Sequence, residues 1–264
     1  MFSVITINYN NVDGLSKTIA SVLSQVNKDY EFIIIDGGST DGSLDVINKS
    51  ADKLSYWVSE KDTGPFQAMN KGVRRAKGEY CIFMNSGDSF YDNYVLEIFS
   101  KEKKTKDIYV GISAEHINGS VRMWYPMEES ELSMRKLYRG SISHQASFIK
   151  TALLKSARYD ESLKIVSDWK FYVETLIIKN VSYDSLPFIV ANYMDGGISR
   201  NEDSAFAERE LALKQLFSVR QLRDYHYMQY GFSDWDKLAK RVDPASKIGK
   251  IIVILVGLLL KLRK

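Results

Sequence analysis

One cysteine in 264 residues leaves this chain without a disulfide framework and without a cysteine-based zinc site. Cys81 sits inside an apolar run, which suits a reducing, cytoplasmic setting. Three histidines without HExxH spacing argue against a histidine-rich metal centre. The chain lacks GxGxxG, which disfavours a dinucleotide-binding domain. It lacks GxxxxGK followed by Ser or Thr, which disfavours a P-loop NTPase. A strand-like pattern starts at once, so no signal peptide is expected. The body also lacks a net positive charge. The net charge is +3, but from Lys240 onward seven Lys/Arg meet one Asp, which leaves −3 for residues 1–239. A mildly acidic body argues against nucleic acid as a partner and marks the basic tail as a separate device.

What is present is ordinary globular composition, 45% hydrophobic and 26% charged, enough for one large domain or two small ones. Phe2–Ile7 is β-branched and apolar and feeds the polar loop Asn8-Tyr9-Asn10-Asn11. Leu15, Ile19, Val22 and Leu23 form a helical face. Phe32–Ile35 reads as a strand buried on both faces. It ends in Asp36-Gly37-Gly38-Ser39-Thr40-Asp41-Gly42-Ser43, where Asp41 or Ser43 can cap the next helix. Tyr56–Val58 is a third short strand, followed by a helix from Phe66 to Ala76. Tyr80–Met84 is a fourth strand that stops at Asn85-Ser86-Gly87-Asp88. Strand and helix alternate through the first 90 residues, the pattern of a doubly wound nucleotide-binding half.

Ligands of open α/β sheets sit beyond the carboxyl ends of the strands. A carboxylate at Asp88 can hold a hard divalent cation there, and the cation can hold a diphosphate. The alternative is that Asp88 caps a helix whose apolar residues begin at Phe90. Farther on, Asp107–Ala114 and Ser120–Tyr125 flank Asn118-Gly119, a hairpin signal. This element suits an acceptor-site wall or plain core. Ile165–Glu174 predicts a helix starting near Asp168, which could be only its N-cap. Leu186–Tyr193 is another strand, and Ala205–Leu222 reads as amphipathic, with Phe206, Leu211, Leu213, Leu216, Phe217 and Leu222 among charged residues. Residues 248–264 combine an apolar run with flanking Lys and Arg. As a helix, Ile248–Leu262 would span about 22 Å, short of a bilayer core of about 30 Å. It suits a helix dipping into an anionic inner leaflet, or a C-terminal helix buried against the body.

VITINYN, then IIIDGGSTDGS, then EKDTGPFQAMNKGVRRAKGEYCIFMNSGD follow the order and spacing of family 2 glycosyltransferases of the GT-A fold, and the chain resembles that family over residues 2–90, more weakly to about 195. In detail it looks most like bacterial transferases from surface-polysaccharide gene clusters. The resemblance implies that Thr6, Asn8 and Tyr9 border the nucleotide base and that Asp36 accepts a hydrogen bond from it, as a carboxylate would from uracil N3–H. It implies that Asp62 and Lys71 line the nucleotide pocket, although Lys71 could equally be a solvated helix lysine. It places His144 and Gln145 toward phosphate or acceptor, and Asp168, in a Ser-Asp pair, as the catalytic base. Asp195-Gly196-Gly197-Ile198-Ser199 is similar to the family's loop closing over the donor. The chain departs at the metal motif, where the family commonly has Asp at the positions of Asn85 and Gly87. A Mg²⁺ or Mn²⁺ ion is still expected, held by Asp88 and Asn85 with the diphosphate.

The expectation is an α/β GT-A fold, with a Rossmann-like nucleotide-binding half, a mixed central sheet and C-terminal helices. Residues 1–100 would hold the nucleotide-sugar and 101–200 the acceptor. A helical region would occupy 201–247 and a membrane-associating tail 248–264. The function implied is inverting transfer from a nucleotide-sugar, a UDP-sugar, to a saccharide or lipid-linked saccharide. The enzyme would be cytoplasmic and peripheral on the inner face of the cell membrane. Two other classes stay open: a sugar-phosphate nucleotidyltransferase, which would carry a glycine-rich basic loop where this chain has NYNNVDG, and a non-catalytic membrane-bound nucleotide-sugar binder.

Overall fold

The β-branched and aromatic runs near the N-terminus form the strands β1 (Phe2–Asn8), β2 (Tyr30–Asp36), β3 (Tyr56–Ser59) and β4 (Tyr80–Phe83). They alternate with the helices α1 (Val12–Leu23), α2 (Ser43–Lys49) and α3 (Pro65–Arg75). In this computed structural model, which describes residues 1–117, 119–194 and 202–224, those strands lie parallel in the order β3-β2-β1-β4. Parallel pairing needs crossover helices, which explains why Phe32–Ile35 are covered on both faces and at most 1% exposed. Each such side chain contributes about 1.5–3 kcal/mol by leaving water. Gly72 lets α3 close on the sheet: a Cβ there would lie 2.5 Å from Ile5 Cγ2.

The second half adds β5 (Ser89–Phe90), α4 (Val95–Lys101), β6 (Ile108–Ile117), β7 (Ser120–Trp124), α5 (Met134–Arg139), β8 (Ser147–Lys150), α6 (Thr151–Ser156), α7 (Ser167–Tyr172), β9 (Tyr183–Met194) and α8 (Glu202–Leu216). The sheet continues from β4 through β8, β6 and β9 to β5, with β7 paired to β6. Its pairings here are antiparallel except β6 with β9, so one mixed sheet runs through both halves. Phe2, Phe99 and Phe148 seal the join, Phe99 stacking on Phe148 at 3.7 Å. Two compact units divide the chain, Met1–Leu213 and Lys214–Lys264, and the sheet lies in the first.

Several local expectations change. Asp88 does not cap a helix: Ser89–Phe90 pairs with β9, and α4 starts at Val95 with Tyr94 before it. Neither Asp41 nor Ser43 is the N-cap of α2, because Gly42 takes that place at φ 96°. Asp41 instead accepts from Ser43 N and Oγ, and from Val12 N at the start of α1. Phe206 and Leu211 on α8 are 52% and 54% exposed while Ala212 and Leu213 are buried, so the apolar residues of that stretch do not share one buried face. Asn118, residues 195–201 with Asp195–Ser199 among them, and residues 225–264, including the basic-apolar tail, lie outside the described residues. Among the described residues no helix is long and apolar enough to cross a membrane.

Candidate active site

Strand register builds the first part of the site. Asn8, Asp36 and Ser59 are partners across β1, β2 and β3, so three polar side chains share one level at the strand ends. Asp36 Oδ1 accepts from Asn8 Nδ2 (2.7 Å) and Ser39 Oγ (2.6 Å). Its Oδ2 accepts from Gly38 N (3.1 Å), Ser39 N (2.9 Å) and Ser59 Oγ (2.6 Å). Burial pushes this carboxyl up, but the donors from Ser39, Ser59 and Asn8 outweigh it and hold the pKa below the usual range. A carboxylate offers about four lone-pair sites, and five donors already use them. A nucleobase N–H could bind Asp36 only by displacing one.

Thr6 is likewise turned inward, its hydroxyl donating to Met84 O at 2.7 Å. Asn8 spends its amide N–H groups on Asp36 and Ser39, while its Oδ1 has no donor among the described residues. Tyr9 is 68% exposed and free to stack on a planar base. Lys71 is not a solvated helix lysine. Its Nζ sits 2.6 Å from both Glu60 and Asp62, its side chain is 18% exposed, and that of Asp62 is 6% exposed. Burial opposes the ammonium, yet Asp62 and Glu60 raise its pKa.

The second part is the turn after β4. Gly87 adopts φ 105°, a region that suits glycine. The turn is clamped by α1: Thr18 Oγ1 donates to Asp88 O at 2.6 Å and accepts from Gly87 N at 3.0 Å. Asn11 and Ser86 exchange side-chain-to-carbonyl bonds at 3.0 and 3.1 Å. Burial pushes the Asp88 carboxyl up to about 7 against the attraction of His144 and Lys17.

His144 joins the turn to the third part. Asn85 Nδ2 lies 3.1 Å from His144 Nε2, and His144 Nδ1 lies 3.1 Å from Asp168 Oδ2. In the neutral ring this order makes Nε2 the acceptor and Nδ1–H the donor. Burial disfavours the imidazolium, but Asp168 and then Asp88 raise the His144 pKa. Asp168 is in the first turn of α7 rather than at its N-cap, which is Val166. Its Oδ1 accepts from Trp169 N, and α7 runs straight into a π-helical turn, Val173–Ile178. Gln145 accepts from Ser143 Oγ at 3.2 Å. The structure thus gathers Asn85, His144 and Asp168, with Asp88 close by, and sets Asp62 with Lys71 in a separate cluster.

Sequence reading did not single out Lys17, Thr18 or Ser59, nor Glu208 and Arg209 on α8. Each acts on a residue more than twenty positions away, and Thr18 looks like any polar residue of a helix. As to a metal, Asn85 Oδ1 is buried with no donor among the described residues, and Asp88 is a desolvated carboxyl. Both are hard oxygen donors that fit a divalent cation. No group of three His, Cys, Asp or Glu occurs among the described residues, so phosphate and water would supply the remaining ligands.

Residues 3–159 match the model of glycosyl transferase family 2, and the chain belongs to that family. An uncharacterised glycosyltransferase of Mycobacterium tuberculosis (strain CDC 1551 / Oshkosh) is 33% identical over 184 residues, 67% of this chain and 69% of that one. A PGL/p-HBAD biosynthesis glycosyltransferase of Mycobacterium bovis (strain BCG / Pasteur 1173P2) is 29% identical over 219 residues, covering 79% and 83%. Among solved structures, S. aureus TarS 1-349 in complex with UDP-GlcNAc aligns with TM-score 0.61 at 22% identity, over 74% of this chain and 59% of that chain. This chain therefore spans about three fifths of that TarS chain. The mannosyltransferase PcManGT from Pyrobaculum calidifontis, in complex with GDP-Man and Mn2+, aligns with TM-score 0.58 at 14% identity, over 99% and 80%. These likenesses show the fold, which is GT-A.

Proposed function

We propose that this chain transfers a sugar from a UDP-sugar to a hydroxyl of a saccharide or lipid-linked saccharide, with inversion at the transferred carbon. One observation carries the reading: His144 bridges Asn85 of the turn beyond β4 and Asp168 of α7 at 3.1 Å on each side. That bridge sets a proton acceptor beside the turn where a nucleoside diphosphate would leave. Asp168 takes the acceptor hydroxyl proton as the oxygen attacks C1 of the sugar. The C1–O bond to the diphosphate breaks in the same step, and its electron pair departs with UDP. His144 holds the Asp168 carboxylate in place. Asp88 and Asn85 would hold a divalent cation, which would supply positive charge to a diphosphate leaving group. Tyr9 and Asn8 border the base, Gln145 lies on the phosphate or acceptor side, and Asp36, Thr6 and the Asp62–Lys71 pair shape the pocket from behind. The UDP complex of TarS and the relative named for PGL/p-HBAD biosynthesis support the donor and acceptor classes.

The substitution Asp168→Asn tests the base. Turnover should fall about 10²–10⁴-fold while UDP binding by calorimetry stays near wild type. Full turnover in that variant would remove Asp168 from the reaction. Asn85 and Gly87 in place of carboxylates favour the non-catalytic binder as a second reading. UDP release from a panel of UDP-sugars, seen only with added saccharide acceptor, separates the two. The tail proposal is that residues 248–264 hold the enzyme on an anionic membrane face; flotation with anionic liposomes should lose the protein when they are deleted.

A further inference from the structure

The backbone leading into α7 has no capping side chain of its own, because its N-cap residue is Val166. A residue more than forty positions later fills that role. Glu208 of α8 accepts from Lys164 N through Oε1 at 2.8 Å, and from Ile165 N and Val166 N through Oε2 at 2.8 and 3.1 Å. One carboxylate thus holds three consecutive N–H groups just before the turn that carries Asp168. Lys164 Nζ also donates to Thr63 O at 2.6 Å, which ties the same segment to the loop between β3 and α3.

The neighbouring residue acts on the other side of Asp168. The Arg209 guanidinium lies over the Trp169 ring at 4.9 Å and donates to Tyr138 O and Gly140 O at 3.4 and 3.1 Å. Trp169 in turn donates to Leu137 O at 2.7 Å. Asp168 is therefore bracketed: the chain before it is fixed by Glu208, and the side chain after it is fixed between Arg209 and the end of α5. A surface ion pair would be worth little. A half-buried carboxylate that accepts three backbone donors is charge-assisted and directional.

We propose that Glu208 is a positioning residue for Asp168, holding the base at the distance and angle that the acceptor proton requires. The proposal rests on the reading of Asp168 as the base. A base misplaced by about 1 Å can cost about 10²-fold in rate, so the geometry of this backbone bears directly on turnover.

The test is a cycle of four full-length proteins, wild type, Glu208→Ala, Asp168→Asn and the double variant, assayed for UDP release from UDP-N-acetylglucosamine with a saccharide panel. Glu208→Ala should lower kcat about 10²-fold with KM for the donor and the Kd for UDP moved by less than about 2-fold. In the Asp168→Asn background the same change should move the residual rate by less than about 2-fold, since residues acting as a unit are not additive. Glu208→Gln keeps one accepting oxygen, so it guards against loss of folding and should fall between, about 10-fold down. Hydrogen exchange of the amides of residues 164–169, read without substrate, should quicken in both variants. The proposal is overturned if kcat is unchanged in Glu208→Ala, if its loss is equal in both backgrounds, if UDP affinity falls in step with kcat, or if exchange at 164–169 is unaltered. Full turnover by Asp168→Asn would instead sink the base reading, and a dead Asp168→Asn beside an unimpaired Glu208→Ala would sink the positioning role alone.

Discussion

Asp36 ends β2 and Asp88 lies past the end of β4, on either side of β1, and burial pushes both toward the neutral acid. Their outcomes are opposite. Ser39, Ser59 and Asn8 hold Asp36 ionised below the usual carboxylate range, whereas Asp88 is left near 7. A carboxylate whose lone pairs are filled by the protein is scaffold. A carboxylate whose desolvation the protein leaves uncorrected is poised for something outside it, and such groups cluster at functional sites.

The largest expected effect that would break this comparison is at Asp36. Asp36→Asn keeps the shape but leaves Gly38 N and Ser39 N facing an amide with a single accepting oxygen. It should lower folding stability by about 2–3 kcal/mol, measured by urea unfolding at pH 7. A loss no larger than that of a surface substitution would mean the network is not scaffold. Next comes Lys71→Met. It removes the cation between Glu60 and Asp62 and strands a carboxylate whose side chain is 6% exposed. We expect about 1–3 kcal/mol of destabilisation, recovered by the second change Asp62→Asn. Failure of that rescue would show that Lys71 acts elsewhere.

The two acids should also give opposite pH signatures. Asp36 has a depressed folded pKa, so its stabilisation is present above the unfolded carboxylate value and is lost as pH falls through the folded one. Asp88 has a raised pKa, so it costs stability as pH climbs from the ordinary carboxylate range to about 7. Melting of wild type and Asp36→Asn should therefore converge in acid. Asp88→Asn should melt no lower than wild type above pH 7, the smallest effect in this set, while losing any Mg²⁺ or Mn²⁺ dependence of UDP binding. Asn85→Asp should strengthen that dependence. If Asp88→Asn melts as low as Asp36→Asn, the two carboxylates do the same job and the contrast fails.

Much of this was legible in the residues. Apolar runs ending in Asp36 and Asn85 placed the strands and the strand ends where polar residues gather, because parallel strands must be buried on both faces. Asp168 stood out as an acid at a helix start. The roles at the donor end were harder to see. That Asp36 is saturated depends on the register that brings Asn8 and Ser59 to its level, and registers are not local. That Lys71 is paired depends on a loop folding back over α3. His144 meets partners 59 positions before it and 24 after it, and Glu208 reaches back more than forty; no spacing rule covers such pairs.

The row formed by Asn8, Asp36 and Ser59 has a consequence for how the sheet assembles. Side chains alternate along a strand, so a slip of one residue between β1 and β2 would turn Asn8 and Asp36 to opposite faces and part the two. The central segment of β2, Phe32–Ile35, is wholly apolar and would by itself tolerate a slip with little complaint. A buried carboxylate parted from its Asn8 donor would not, at a cost of about 1–3 kcal/mol. The polar row thus acts as a proofreader of strand alignment: it admits one pairing among several that the apolar residues alone would accept, and the pocket is set in that pairing before any nucleotide arrives.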